Sequence, residues 1–193
     1  MSYKPPPHSI KYDQNPIHIA AENGDIEIVK LLAPLTETPN APNRYGKTPI
    51  HLATENGHTD IVRILAPLTD YPNSPDRDGD TPIYNAARNG HTEIVKILAP
   101  LTDNPNAPDE YGETPIIMAT CLGHTEIVKI LAPLTDNPNA SNKYGMTPIS
   151  IANHYFKCTD YRREYYIASK LCYSAKEIIN ILQNIYNQKQ SRK

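Results

Sequence analysis

The chain repeats itself. Residues 81–113 read TPIYNAARNGHTEIVKILAPLTDNPNAPDEYGE, and residues 114–146 follow at once as TPIIMATCLGHTEIVKILAPLTDNPNASNKYGM, identical at 24 of 33 positions. Earlier copies occupy residues 15–47 and 48–80, and a fifth opens at Thr147-Pro148-Ile149. A fixed period of this length means that one small unit recurs. Each copy can bury its apolar side only against its neighbours, so the core of such a chain is a row, not a ball.

The residues within a unit say what that unit is. Thr48 suits a helix N-cap and Pro49 the first helical position, where a missing N–H is no loss. A short first helix is predicted over 49–56, with Ala53 and Thr54 small enough for close packing. Gly57 can end it in the left-handed conformation. Thr59 is placed to cap a second helix, and Asp60 puts negative charge on its positive end. Ile61, Val62, Ile64 and Leu65 fall at helical, not alternating, spacing. Pro67 pushes Ala66 out of the helical region, so the helix is expected to end there. A separate Pro-Leu-Thr turn then follows, with Leu68 packing inward. Residues 73–79 read as a tight projecting turn. Sixteen of the 19 prolines occupy fixed repeat positions, which makes them turn chemistry and not a sign of disorder.

These marks resemble the ankyrin repeat: Thr48-Pro49-Ile50-His51-Leu52-Ala53, Gly57-His58, the run 61–65, Asn73 and Gly79, recurring in register over 15–149. The resemblance implies an all-α, ankyrin-repeat solenoid of 33-residue helix-turn-helix units with projecting turns. It departs at the end of the second helix, where the family continues one more turn and closes on Gly-Ala. In the family His58, His91 and His124 brace turns, and His18 and His51 are also structural.

The fifth unit lacks Gly-His, and the second-helix signature returns late, at residues 177–182. An insertion of about 18 residues, near 156–173, accounts for the delay. It holds no Gly or Pro, so it is expected to be helical. A last helix from Ser174 to about Tyr186 would turn Lys176, Asn180, Gln183, Asn184 and Asn187 to solvent, as an end cap requires. The organisation expected is a leader over 1–14 and one domain over 15–187. That domain comprises units 15–47, 48–80, 81–113 and 114–146 and an expanded helical capping unit, 147–187; a polar tail follows over 188–193.

A formal charge of −2 steers the chain toward neither nucleic acid nor an acidic membrane. No run of 18 apolar residues and no apolar leader occurs. Three cysteines without paired spacing suit a reducing, intracellular setting, the cytoplasm or the nucleus. No phosphate-binding glycine run or supported nucleophile–base motif is present. His154, Cys158 and Cys172 have the right chemistry for a soft metal, but their spacing matches no zinc module. Tyrosines and basic residues of the insert are read as packing and solvation. The expectation is therefore a non-enzymatic monomer without cofactor or metal.

The nine differences between units 81–113 and 114–146 fall in the first helix or the projecting turn, never in the second helix. In ankyrin proteins those zones form a concave groove and fingers that hold protein partners, and the resemblance implies the same here. The finger candidates are Arg44, Tyr45 and Lys47, then Arg77, Asp78 and Asp80. They continue with Glu110, Tyr111 and Glu113, then Lys143, Tyr144 and Met146. The groove candidates are Glu55 and Asn56, then Tyr84, Asn85, Arg88 and Asn89, then Ile117, Met118, Cys121 and Leu122, and finally His154 and Tyr155. Ile117, Met118, Leu122, Tyr144, Met146 and Tyr155 are expected to make one exposed apolar patch beside Glu110 and Glu113. A purely structural array, a piece of a longer chain, or a metal or catalytic role of the insert are the competing readings.

Overall fold

A computed structural model of the protein describes residues 15–158 and 166–191, with the side chains of 155–158 and 166–172 outside that description. The expectations for residues 1–14, for 159–165 and for the side chains of Tyr155, Cys158 and Cys172 fall outside it. Ten α-helices are described: α1 (Pro16–Asn23), α2 (Ile26–Leu32), α3 (Pro49–Glu55), α4 (Thr59–Leu65), α5 (Pro82–Asn89), α6 (Thr92–Leu98), α7 (Pro115–Cys121), α8 (Thr125–Leu131), α9 (Pro148–Cys158) and α10 (Tyr166–Gln190). No strand occurs among the described residues. Odd-numbered helices pack in series as one layer, and even-numbered helices as a second.

Local chemistry sets each boundary. The Thr48 hydroxyl accepts from His51 N, and the His51 ring Nδ1 in turn accepts from Thr48 N, closing a capping box. Thr81 and Thr114 likewise accept from Tyr84 N and Ile117 N at the starts of α5 and α7, but without the return bond that the His51 ring supplies. The second helices are capped differently from expectation. His58, not Thr59, is the N-cap of α4, and it makes no side-chain cap bond. Its ring reaches back instead: Nε2 lies 3.2 Å from Glu22 O, and the imidazole covers Gly24 of the preceding unit. His91 covers Gly57 and His124 covers Gly90 likewise. These histidines tie turn to turn between units.

The loop asparagines supply a second tie. Asn40, Asn73, Asn106 and Asn139 each accept, through the side-chain oxygen, from the backbone N–H ten residues on, at 2.9–3.1 Å. Each thereby satisfies an N–H that the first helical turn leaves open. The core row is Ile50, Ile61, Leu65, Ile83, Ile94, Leu98, Ile116, Ile127 and Leu131, all fully buried. At about 1.5–3 kcal/mol for each such side chain, this row is the main source of cohesion between units.

The α-helix ends at Leu65, near the expected place, but Pro67 does not push Ala66 out of the helical region: Ala66 keeps φ −58° and ψ −39°, and Ala66–Leu68 continue as a 3-10 turn. The leucine does not pack inward. Leu35, Leu68, Leu101 and Leu134 are all exposed, and the alanine before the proline fills the interior. The 3-10 turn carries the alanine onto the core and so rotates the leucine out.

At the C-terminal end α10 is one helix of 25 residues. It starts at Tyr166, ahead of the expected Ser174, and runs through Gln190 into the expected tail. Ala175, Ile178 and Leu182 are buried, and the five polar residues predicted to face solvent are exposed. Lys129 of α8 bridges to Glu126 and, at 2.8 Å, to Glu177 of α10. The Lys189 ammonium donates to the carbonyls of Pro133 and Thr135, placing positive charge where the α8 segment ends.

Candidate functional site

Each finger is built around one Asx residue. Asn43 Oδ1 accepts from Tyr45 N and Lys47 N, Asp76 from Asp78 N and Asp80 N, Asp109 from Tyr111 N and Glu113 N, and Asn142 from Tyr144 N and Met146 N. Two backbone donors per side chain close the turn and hold the next residues outward. Neighbouring fingers are laced by Arg77 N to Tyr45 O at 3.1 Å and Lys143 N to Tyr111 O at 3.0 Å. Arg44, Tyr45, Arg77, Asp78, Glu110, Tyr111, Lys143, Tyr144 and Met146 are exposed on these tips. The Arg44 guanidinium lies over the Tyr45 ring, 4.7 Å from its centre.

The groove candidates divide. Asn56, Arg88, Asn89, Leu122 and His154 are exposed, and Glu55, Met118 and Cys121 are half-buried. Tyr84, Asn85 and Ile117 are not surface groups: each is at most 6 % exposed. Ile117 therefore drops out of the expected apolar patch, which keeps Leu122, Tyr144 and Met146, with Met118 at its edge. The physical reason is that one side of every first helix faces the first helix of the next unit, so those positions vary as interior residues do. His18 and His51 occupy the same register position as Tyr84 and Ile117. Their Nε2 atoms lie 3.2 and 3.1 Å from Lys47 O and Asp80 O, the carbonyls that end their own units.

A second pattern links finger to groove. Lys47 pairs with Glu55 at 2.6 Å, and eight residues also separate Asp80 from Arg88, which pair at 3.8 Å with the signs exchanged. Asn85 and Asn89 donate to Glu55, tying the second and third units. The third unit breaks the series. Glu113 faces Cys121 in register, and its carboxylate takes the neutral amide of Asn142 at 2.8 Å. Negative charge therefore accumulates at the third finger. Burial first, then the charges of Asp76, Asp109 and Asp78, push the Asp80 carboxyl up to about 6 against the pull of Arg88. Burial and then Glu113 push the Cys121 thiol up, so it is a poor thiolate nucleophile.

Sequence reasoning missed Asp109. Its side chain both builds the third finger and lines the cleft beside it. The signal was its register with Asn43, Asp76 and Asn142, the turn-forming position of every unit.

With this arrangement in view, the family model for ankyrin repeats matches three stretches, residues 4–74, 69–142 and 101–161. The chain belongs to the ankyrin-repeat family. No curated protein matches it. Ankyrin repeats in general are protein–protein interaction modules, and the family is typically non-catalytic. No helix among the described residues is long and apolar enough to cross a membrane. In an ankyrin framework, the histidines, Asx residues and loop asparagines account for repeat-to-repeat packing. Of the exposed groove and finger side chains, Arg88 and Asn89 also bond across a unit boundary, whereas Leu122, Tyr144 and Met146 make no such bond among the described residues.

Proposed function

We propose that this ankyrin-repeat protein is a non-enzymatic scaffold that grips a segment of a partner protein. The segment lies across the fingers and first helices of the third to fifth units, and the scaffold acts as a monomer in a reducing intracellular compartment, the cytoplasm or the nucleus. One observation carries the reading. Tyr111, Tyr144, Leu122 and Met146 stand 51, 69, 45 and 43 % exposed on adjoining fingers and a helix end, beside Glu110 and Glu113. Large apolar and aromatic groups gathered next to charge have the composition of interface anchors. Framework packing does not explain Leu122 and Met146, because those register positions carry Asn56 and Asn89, and Lys47, Asp80 and Glu113, in the other units; the tyrosine recurs at Tyr45 and gives way to Asp78.

The test is a differential capture. The intact protein and the variant Tyr111→Ala/Leu122→Ser/Tyr144→Ala are immobilised after circular dichroism shows equal helicity, and captured proteins are identified by mass spectrometry. A protein held by the first and lost from the second is the expected result. Identical captures would remove this face from consideration.

A further inference from the structure

Between the second, third and fourth fingers lies a cleft bearing the carboxylates of Asp78, Asp80, Asp109, Glu110 and Glu113. Its aromatic wall is Tyr84, Tyr111 and Tyr144. We propose that this cleft seats an arginine side chain of the bound protein segment, a refinement that rests on the protein-binding reading of this face.

The carboxylates alone would not carry the assignment. Tyr84 adds an independent observation. The residue is only 6 % exposed, yet it lines the cleft, and its hydroxyl has no hydrogen-bond partner among the described residues. Burial together with the charges of Asp109, Asp80 and Glu113 holds that phenol well above its ordinary pKa, so it stays protonated and its oxygen is an available acceptor. The ring is held in the interior while the hydroxyl opens on the cleft, so a donor arriving from outside can use it without disturbing the fold.

Comparison between units shows how the position arose. Where His18 and His51 spend their rings on the carbonyls that end their own units, the longer phenol of Tyr84 extends into the cleft. One oxygen each of Asp109 and Glu113 is engaged, by backbone N–H groups and by Asn142. Their second oxygens have no partner among the described residues. Among the described residues, the only cation paired with these carboxylates is Arg88, at 3.8 Å from Asp80.

The chemistry selects the guanidinium. It is planar, always charged, offers five N–H donors in a fork that fits paired carboxylates, and stacks on aromatic rings. A lysine ammonium satisfies the charge but neither the fork nor the stacking.

The test titrates ¹⁵N-labelled protein with N-acetyl-arginine amide, N-acetyl-lysine amide, N-acetyl-citrulline amide and calcium chloride. Saturable shifts confined to residues around Asp80, Tyr84, 109–113 and Tyr144 are expected with the arginine probe. The lysine probe should bind several-fold more weakly, and citrulline, its uncharged near-isostere, should give no saturation. The variant Glu110→Gln/Glu113→Gln should weaken arginine about tenfold or more, as loss of charge-assisted bonds implies. Tyr84→Phe should weaken it several-fold with an unchanged melting temperature, since the hydroxyl holds nothing in the fold. Equal binding of citrulline, indifference to the glutamine pair, or calcium saturating the carboxylates and displacing arginine would each overturn the proposal. Capture separates it from the reading beneath it. A partner lost from the tyrosine–leucine variant but fully held by Glu110→Gln/Glu113→Gln leaves the binding face standing and removes the arginine seat.

Discussion

Asp80 shows how much a single position can be asked to do. It sits in the turn, its backbone oxygen receives His51, and its carboxylate is crowded by Asp76, Asp78 and Asp109, with Arg88 paired to it at 3.8 Å. Its folded pKa of about 6 lies above the ordinary 3.8. The folded state therefore binds this proton more tightly than the unfolded chain, and the group's contribution to stability falls as pH rises through about 6. Asp80→Asn should stabilise the protein at pH 7.5 by about 1–2 kcal/mol, a figure reduced for a partly wet carboxylate. The gain should close as pH falls toward 4. His18 and His51 work in the other direction: burial lowers both pKa values, so stability is lost as pH falls below 6.5. They are common to both proteins, so the difference between two urea titrations isolates Asp80. A gap that is constant from pH 8 to 4 would show that crowding is not the cause.

Helices of seven or eight residues cannot hold themselves, so their ends carry much of the specification. Gly57 closes α3 at φ +75°, and a Cβ there would come within 2.8 Å of the His91 ring. Gly145 has nearly the same φ, +74°, with nothing within 4 Å. Gly145→Ala isolates the backbone strain, about 1 kcal/mol, whereas Gly57→Ala adds displacement of the histidine and should cost about 2–3 kcal/mol. Chemical denaturation of both variants measures the difference, and equal costs would mean that the histidine yields freely. These ends were largely legible in the residues, because Thr-Pro, Gly-His and the apolar spacing act locally. Two features were not. Leu68 looked like a core residue because leucine usually is, but the 3-10 turn gives the interior to Ala66. Tyr84, Asn85 and Ile117 looked like surface because they vary, but the contact between successive first helices buries them. A repeat period fixes which residues correspond; it does not fix which way an individual side chain turns.

Because each unit packs only on its neighbours, the end of the row decides how the whole unfolds. α10 lies against α9 and α8, with Ile178 and Leu182 fully buried and with Glu177 and Lys189 bonded back to the fourth unit. Removing residues 174–193 forfeits about 3–6 kcal/mol from those two side chains alone and bares the apolar side of α8. The truncated chain should melt earlier and lose solubility. The loss should also be graded along the row. Amide hydrogens of α7 and α8 should exchange faster by orders of magnitude, while those of α1 to α4 approach wild-type protection. Leu182→Ala provides the same test without truncation, at about 2–5 kcal/mol for a buried leucine. Uniform acceleration over all units would mean that the stack opens as a single cooperative block. The exposed anchors of the third to fifth units would then gain no local freedom from the cap. Acceleration confined to the C-terminal units would put the binding face on the portion whose order the cap controls, linking partner affinity to the packing of α10.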